Sequence, residues 1–187
     1  MKRTKQTAFV FRPWGGKREG AGRKPKGAKA GVSHLRRPAL AARFPVHVTM
    51  RMHKHVWSLR TQRCFRELER AFFKGGDRFG FRLVHYAGMG NHIHLLVEAA
   101  DSRALARGMQ GLSIRLARAL NAVMHRAGSV LSDRYHARIL RTPAEIKHVR
   151  NYHLTNAQHH YGLLGPDPYV SNQPLTRPQT WLARQLC

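Results

Sequence analysis

Apolar and polar residues alternate with the period of a β-strand in four stretches of the chain. Phe44, Val46, Val48 and Met50 are separated by Pro45, His47 and Thr49, which predicts a strand with one buried face. Residues 79–87 and 92–98 predict two more strands, which return antiparallel to each other through the tight connection at 88–91. Residues 134–140 predict the fourth. In the second strand we expect Phe81, Leu83 and His85 to share one side.

Between these strands the apolar residues recur at helical intervals. Residues 53–73 predict a helix that ends at the glycine pair 75–76, and residues 102–126 predict a longer helix capped by Asp101 or Ser102. Thr142, Pro143 and Glu145 form a capping-box pattern that opens a last helix. The order β-α-β-β-α-β-α predicts an α+β fold, a ferredoxin-like antiparallel sheet with an added C-terminal helix.

The third strand carries two histidines two positions apart. His92, His94, Leu96 and Glu98 share one of its sides because successive strand residues point to opposite faces. Two imidazoles fixed in this way are suited to bind a metal ion or to act as a catalytic base. An ordinary pair of half-buried polar residues on the wet face of a sheet would show the same spacing.

The net positive charge of the chain indicates what kind of partner it binds. Lys and Arg number 34, Asp and Glu number 9, and the formal net charge is +25, which favours a polyanion, with nucleic acid ahead of an anionic membrane. No apolar run reaches the ~18 residues of a membrane span, and two widely separated cysteines without a signal-peptide pattern favour a cytoplasmic protein. We divide the chain into a basic, flexible DNA-binding arm (1–42), a folded domain (43–165) and a C-terminal extension (166–187).

Two groups of basic residues, together with the single Arg134, are candidates for phosphate contact. Arg23 and Lys24 lie in the arm, which could instead serve solubility alone. The polar side of the predicted long helix lacks interspersed acids, although an arginine face can also be simply solvated. The candidates are Arg23, Lys24, Arg103, Arg107, Arg115, Arg118 and Arg134.

Four stretches resemble, in order and spacing, the single-tyrosine HUH transposases (IS200-like), and among them the REP-associated tyrosine transposases most. They are residues 90–97 (GNHIHLLV), 110–118 (QGLSIRLAR), 133–138 (DRYHAR) and 152–156 (YHLTN). The resemblance covers residues 43–165. His153 and Thr155 depart from the family's pattern around the tyrosine.

The resemblance implies an enzyme that nicks and rejoins single-stranded DNA at hairpin or palindromic ends. Tyr152 on the added C-terminal helix would be the catalytic nucleophile and would form a 5′-phosphotyrosine, ahead of Tyr135 and Tyr161 as competitors. His92, His94 and Asn156 would hold Mg²⁺ or Mn²⁺, and the protein would be a monomer or a homodimer. The alternative is a non-catalytic protein that binds nucleic-acid hairpins with the same fold.

Overall fold

The computed structural model describes residues 37–185. Arg23, Lys24 and most of the predicted arm lie outside the described residues. The proposed boundaries at 42 and 165 therefore stay a prediction.

Five strands form one antiparallel sheet, with the order β2-β3-β4-β1-β5. They are β1 (Val46–Arg51), β2 (Asp77–Arg78), β3 (Phe81–Gly88), β4 (His92–Ala99) and β5 (His136–Ile139). β4 lies at the centre and is buried from Ile93 to Ala99. Side chains on β4 are therefore held by neighbours on both sides, as a precise site requires.

Four helices complete the described fold: α1 (Gln62–Gly75), α2 (Ser102–Val123), α3 (Pro143–Tyr161) and α4 (Trp181–Arg184). α1 begins at Gln62, because the Thr61 side chain accepts a hydrogen bond from the amide of Cys64. A start at residue 53 is wrong, since residues 53–61 form turns and a bend. α3 begins with the predicted capping box of Thr142 and Glu145. The predicted ferredoxin-like fold with an added C-terminal helix is confirmed.

Helices cover both faces of the sheet. On one face, Ile93, Leu95 and Val97 of β4 join the main core with apolar residues of α1 and α2. On the other face, Leu96 packs with Ile146 and Val149 of α3 and with Leu182 of α4. α2 and α3 are therefore separated by the sheet, and β4 can present His94 only toward α3.

Two features of the β2–β3 region differ from the prediction. Phe79 and Gly80 adopt positive φ angles of 52° and 77° and turn a short hairpin that the alternation did not predict. β3 also contains a bulge near Val84, where the register with β4 shifts. The bulge removes His85 from the side shared by Phe81 and Leu83 and places its Nδ1 3.0 Å from the Ser171 hydroxyl.

Gly108 marks the closest approach of α2 to the sheet. A Cβ added there would lie 2.2 Å from Cγ of Phe81. Gly108→Ala should therefore lower the free energy of unfolding by about 1–3 kcal/mol, although alanine favours helix. Gly111→Ala is the matched control on the same helix. A Cβ there would meet only Nη1 of Arg115, at 3.1 Å, and this far end of a long side chain can shift. Gly111→Ala should therefore raise stability by up to about 1 kcal/mol. Urea unfolding of the two variants checks this, and equal shifts in one direction would contradict the close packing at Gly108.

Candidate active site

His94 stands at the centre of a polar cluster on the α3 side of the sheet. It pairs across strands with Thr49 of β1, and His47 lies two residues before Thr49 on the same strand face. The His94 side chain is 5% exposed. Its Nδ1 lies 3.2 Å from Oγ1 of Thr49 and 3.3 Å from Nε2 of His47. Nδ1 of His94 therefore faces β1, and Nε2 is free to contact α3.

Tyr152 of α3 faces that second nitrogen. Its hydroxyl lies 3.4 Å from Nε2 of His94, and the two rings meet edge to face with centroids 5.0 Å apart. Tyr152 is 37% exposed, so its oxygen can be reached from solvent while the ring rests on the cluster. A long capped helix and a central strand thus bring together the phenol and one imidazole of the sequence motif.

His92 and Asn156 lie beside this pair. The His92 ring is perpendicular to the His94 ring at 4.8 Å between centroids, and its Nδ1 lies 2.8 Å from Oδ1 of Asn91. Asn156 is one turn beyond Tyr152, 3% exposed, and its Nδ2 has no hydrogen-bond partner. His92 and Asn156 therefore border the site on its strand side and its helix side. Their assignment as metal ligands stays a prediction.

His94 also belongs to a group of three histidines. His47, His94 and His153 each place a ring nitrogen within 4.8 Å of the other two. His153 is 1% exposed, and neither of its ring nitrogens has a partner. Buried polar atoms normally find partners, so an unpaired imidazole between two others is suited to a metal ion. The residues present fit a divalent cation.

Burial keeps these rings neutral. It lowers the pKa of His94 to about 3, with the neighbouring His92 and His47 adding to the effect. Burial likewise lowers the pKa of His47 to about 4, helped by His136 and Arg138, and that of His153 well below its ordinary value. A neutral imidazole keeps a lone pair, which is the form that binds metals.

The sequence pattern identified His94 and missed the importance of His47 and His153. His47 was visible as a polar residue on the first strand, but the strand order is needed to place it next to His94. His153 was visible only as a departure from the family's pattern. It faces the sheet, whereas Tyr152 next to it reaches the surface.

The proposed DNA-contacting arginines of α2 lie on the other side of the sheet. Arg103, Arg107 and Arg118 are exposed. Arg115 is half-buried, with its Cδ against Gly75 of α1 and its Nη1 donating to the carbonyl of Gly111 at 3.0 Å. These side chains do not share a surface with Tyr152, and their contact with DNA stays a prediction.

Arg134 also lies away from Tyr152. It lines a cavity of about 680 Å³ on the α2 side, between residues 37–40, α2 and β5. The guanidinium of Arg37 stacks over Tyr135 there, 3.7 Å from the ring centre. The lining of this cavity combines apolar side chains with Arg37, Arg134 and Arg141, and it does not include the histidine cluster. No helix formed by residues 37–185 has the length and apolar character of a membrane span.

Comparison with known proteins identifies the family. The model of the family described as "Transposase IS200 like" matches residues 42–153, which is more than half of the chain. The chain belongs to the IS200-like transposase family. Membership implies transposase-type DNA processing and confirms the resemblance drawn from the four sequence stretches.

One solved structure shares the fold of this chain. A REP-associated tyrosine transposase bound to a REP hairpin is similar, with a TM-score of 0.62, 14% identity, and coverage of 75% of this chain and 83% of that one. A protein from Deinococcus radiodurans named as a transposase gives a TM-score of 0.45, 16% identity, and coverage of 67% and 98%. No curated protein matches the chain.

Proposed function

We propose that this IS200-like transposase nicks and rejoins single-stranded DNA at hairpin or palindromic ends, in the cytoplasm, with Tyr152 as its nucleophile. The observation that carries the proposal is the 3.4 Å approach of the Tyr152 hydroxyl to Nε2 of His94. An exposed phenol held by a buried imidazole beside possible metal ligands is an arrangement suited to phosphodiester chemistry.

In the proposed reaction the Tyr152 oxygen attacks the phosphorus of a DNA phosphodiester. The bond from phosphorus to the 3′ oxygen breaks, so the DNA 5′ end becomes linked to Tyr152. The upstream segment of the same strand leaves with a free 3′-hydroxyl, whose proton balances the one lost by the phenol. Attack by a 3′-hydroxyl on the phosphotyrosine reverses the step and rejoins DNA. The phosphotyrosine bond conserves the energy of the broken phosphodiester bond, so rejoining needs no added energy source.

The chain's own residues orient this step. His94 fixes the direction of the phenol, and Thr49 and His47 fix the His94 ring from the other side. A divalent ion such as Mg²⁺ or Mn²⁺, held by His94 with His92 and Asn156 as the sequence implies, would polarise a phosphate oxygen. The excess of basic residues supports binding of the DNA strand.

An end-labelling assay tests the proposal against non-catalytic hairpin binding. The full-length protein is incubated with a hairpin oligonucleotide and Mn²⁺, with the label placed at the 3′ end or the 5′ end in separate reactions. The 3′ label should migrate with denatured protein, and the 5′ label should appear on a shortened strand that a polymerase can extend. Palindromes that flank the gene supply the first oligonucleotides. Tight binding with an intact, unattached oligonucleotide for all of them would favour the non-catalytic alternative.

A further inference from the structure

His153 is the least explained polar side chain of the described residues around the site. It is 1% exposed, yet Nδ1 and Nε2 both lack a partner. Leaving a buried polar group unpaired destabilises the fold, and this imidazole carries two such atoms. Its ring centre lies 5.3 Å from that of His47 and 5.8 Å from that of His94. The unpaired His153 ring therefore lies close to two other imidazoles, with which it could bind one metal ion.

His47 and His94 already have the spacing of two ligands on one ion. Their facing nitrogens, Nε2 and Nδ1, are 3.3 Å apart. Two nitrogens bound to a tetrahedral ion at about 2.0–2.1 Å are separated by about 3.3 Å. The ligand atoms of the three histidines all lie within 4.8 Å of one another. His47 is only half-buried, which leaves an entry path for the ion.

We propose that His47, His94 and His153 form a buried tri-histidine site for a late divalent transition-metal ion of the Zn²⁺ or Co²⁺ class. Three imidazoles are borderline-soft donors that suit Zn²⁺, Co²⁺ and Ni²⁺, whereas Mg²⁺ prefers oxygen ligands and keeps several of its waters. This site shares only His94 with the ligand set implied by the sequence resemblance, because His47 and His153 take no part in that set.

The two nitrogens of His94 separate the two ligand sets. Nδ1 faces His47, and Nε2 faces the Tyr152 hydroxyl. An ion shared with His47 binds Nδ1 and leaves the hydrogen bond to Tyr152 in place. The tri-histidine site therefore lies beneath Tyr152 and keeps the phenol directed. This inference does not rest on DNA cleavage, because metal binding can be measured without DNA.

Cobalt binding tests the site. Co²⁺ is titrated into the untagged, metal-free, full-length protein, and its visible absorption is recorded. We expect one equivalent to bind with the intense spectrum of a four-coordinate ion, Zn²⁺ to displace it, and millimolar Mg²⁺ to leave it in place. His47→Gln and His153→Leu should each weaken binding by at least about a hundredfold, since even the loss of an outer partner costs 10- to 100-fold.

Folding and surface histidines are controlled in the same series. His153→Leu removes two unpaired nitrogens, so the metal-free variant should be folded by circular dichroism, and Zn²⁺ should raise the Tm of the wild type but not of this variant. The exposed pair change His159→Gln with His160→Gln should bind Co²⁺ within about twofold of the wild type. Failure to bind any equivalent of Co²⁺ would overturn the proposal. So would loss of binding in His92→Gln or Asn156→Ala with binding retained in His47→Gln. DNA-adduct formation in Mg²⁺ without Co²⁺ binding would reject this site and leave the proposed function intact.

Discussion

Tyr152→Phe is expected to abolish the covalent protein–DNA adduct while leaving hairpin binding within about twofold. The change removes only the attacking oxygen. The aromatic ring, whose centroid lies 5.0 Å from that of His94, stays in place. Loss of a nucleophile typically reduces turnover by several orders of magnitude, so we expect a fall of at least about 10³-fold in the rate of adduct formation. Denaturing gels measure the adduct, and filter binding measures the affinity.

Two other tyrosines supply the controls for this experiment. Tyr135 lies beneath Arg37 on the α2 side of the sheet, and its buried hydroxyl has no partner. Tyr135→Phe should therefore keep full adduct formation and full stability. Tyr161 holds the end of α3 through its hydroxyl, which accepts a hydrogen bond from the amide of Gly90 at 2.9 Å. An adduct that survives in Tyr152→Phe and is lost in Tyr161→Phe would show that the nucleophile is Tyr161.

Some elements of the fold could be predicted from the sequence and others could not, because a hydrophobic pattern describes one element at a time. Strand alternation and helical periodicity report the buried face of one element, so the order of elements and the side chains on β4 were predictable. α3 was harder, because its buried side includes His153 and Asn156. A helix that buries polar residues does not reveal its inner face by hydrophobicity, and only the capping box and the resemblance marked it.

Contacts between elements could not be predicted, because they depend on which strands and helices are neighbours in the fold. The pattern of β1 identifies His47 as polar but not which strand lies beside it, and that neighbour is β4. The arginine side of α2 is likewise evident in the sequence, whereas its position across the sheet from Tyr152 depends on how the helices divide between the two faces. The bulge in β3 shifts the alternation by one residue, so the sequence pattern assigns His85 to the wrong face of the sheet.

Arg60→Ala is expected to lower the free energy of unfolding by about 3–5 kcal/mol, because it leaves a buried carboxylate without its counterion. Arg60 makes a two-pronged ion pair with Asp167 at 2.8 and 3.0 Å. The Asp167 side chain is 1% exposed. The guanidinium also lies between two aromatic rings, 4.6 Å from the centre of Tyr161 and 4.3 Å from that of Tyr169. Arg60→Lys should recover only part of the loss, since an ammonium cannot form the paired contact.

The contacts of Arg60 also join the end of α3 to the segment before β4. Arg60→Ala should therefore disturb the active site as well as lower stability. Arg60 Nη1 donates to the carbonyl of Gly88, and the Tyr161 it stacks on binds the amide of Gly90, just before β4. Loosening this junction frees the end of the helix that carries Tyr152. Arg138→Ala is the matched control: its pair with Glu145 is largely exposed, and its removal should cost at most about 1 kcal/mol. Urea unfolding measures both variants, and equal losses would show that burial of the Arg60 pair does not set its contribution. Both pairs have a contact of 2.8 Å, so a difference between the two variants reports the burial and the additional contacts of Arg60 and not the length of the ion pair.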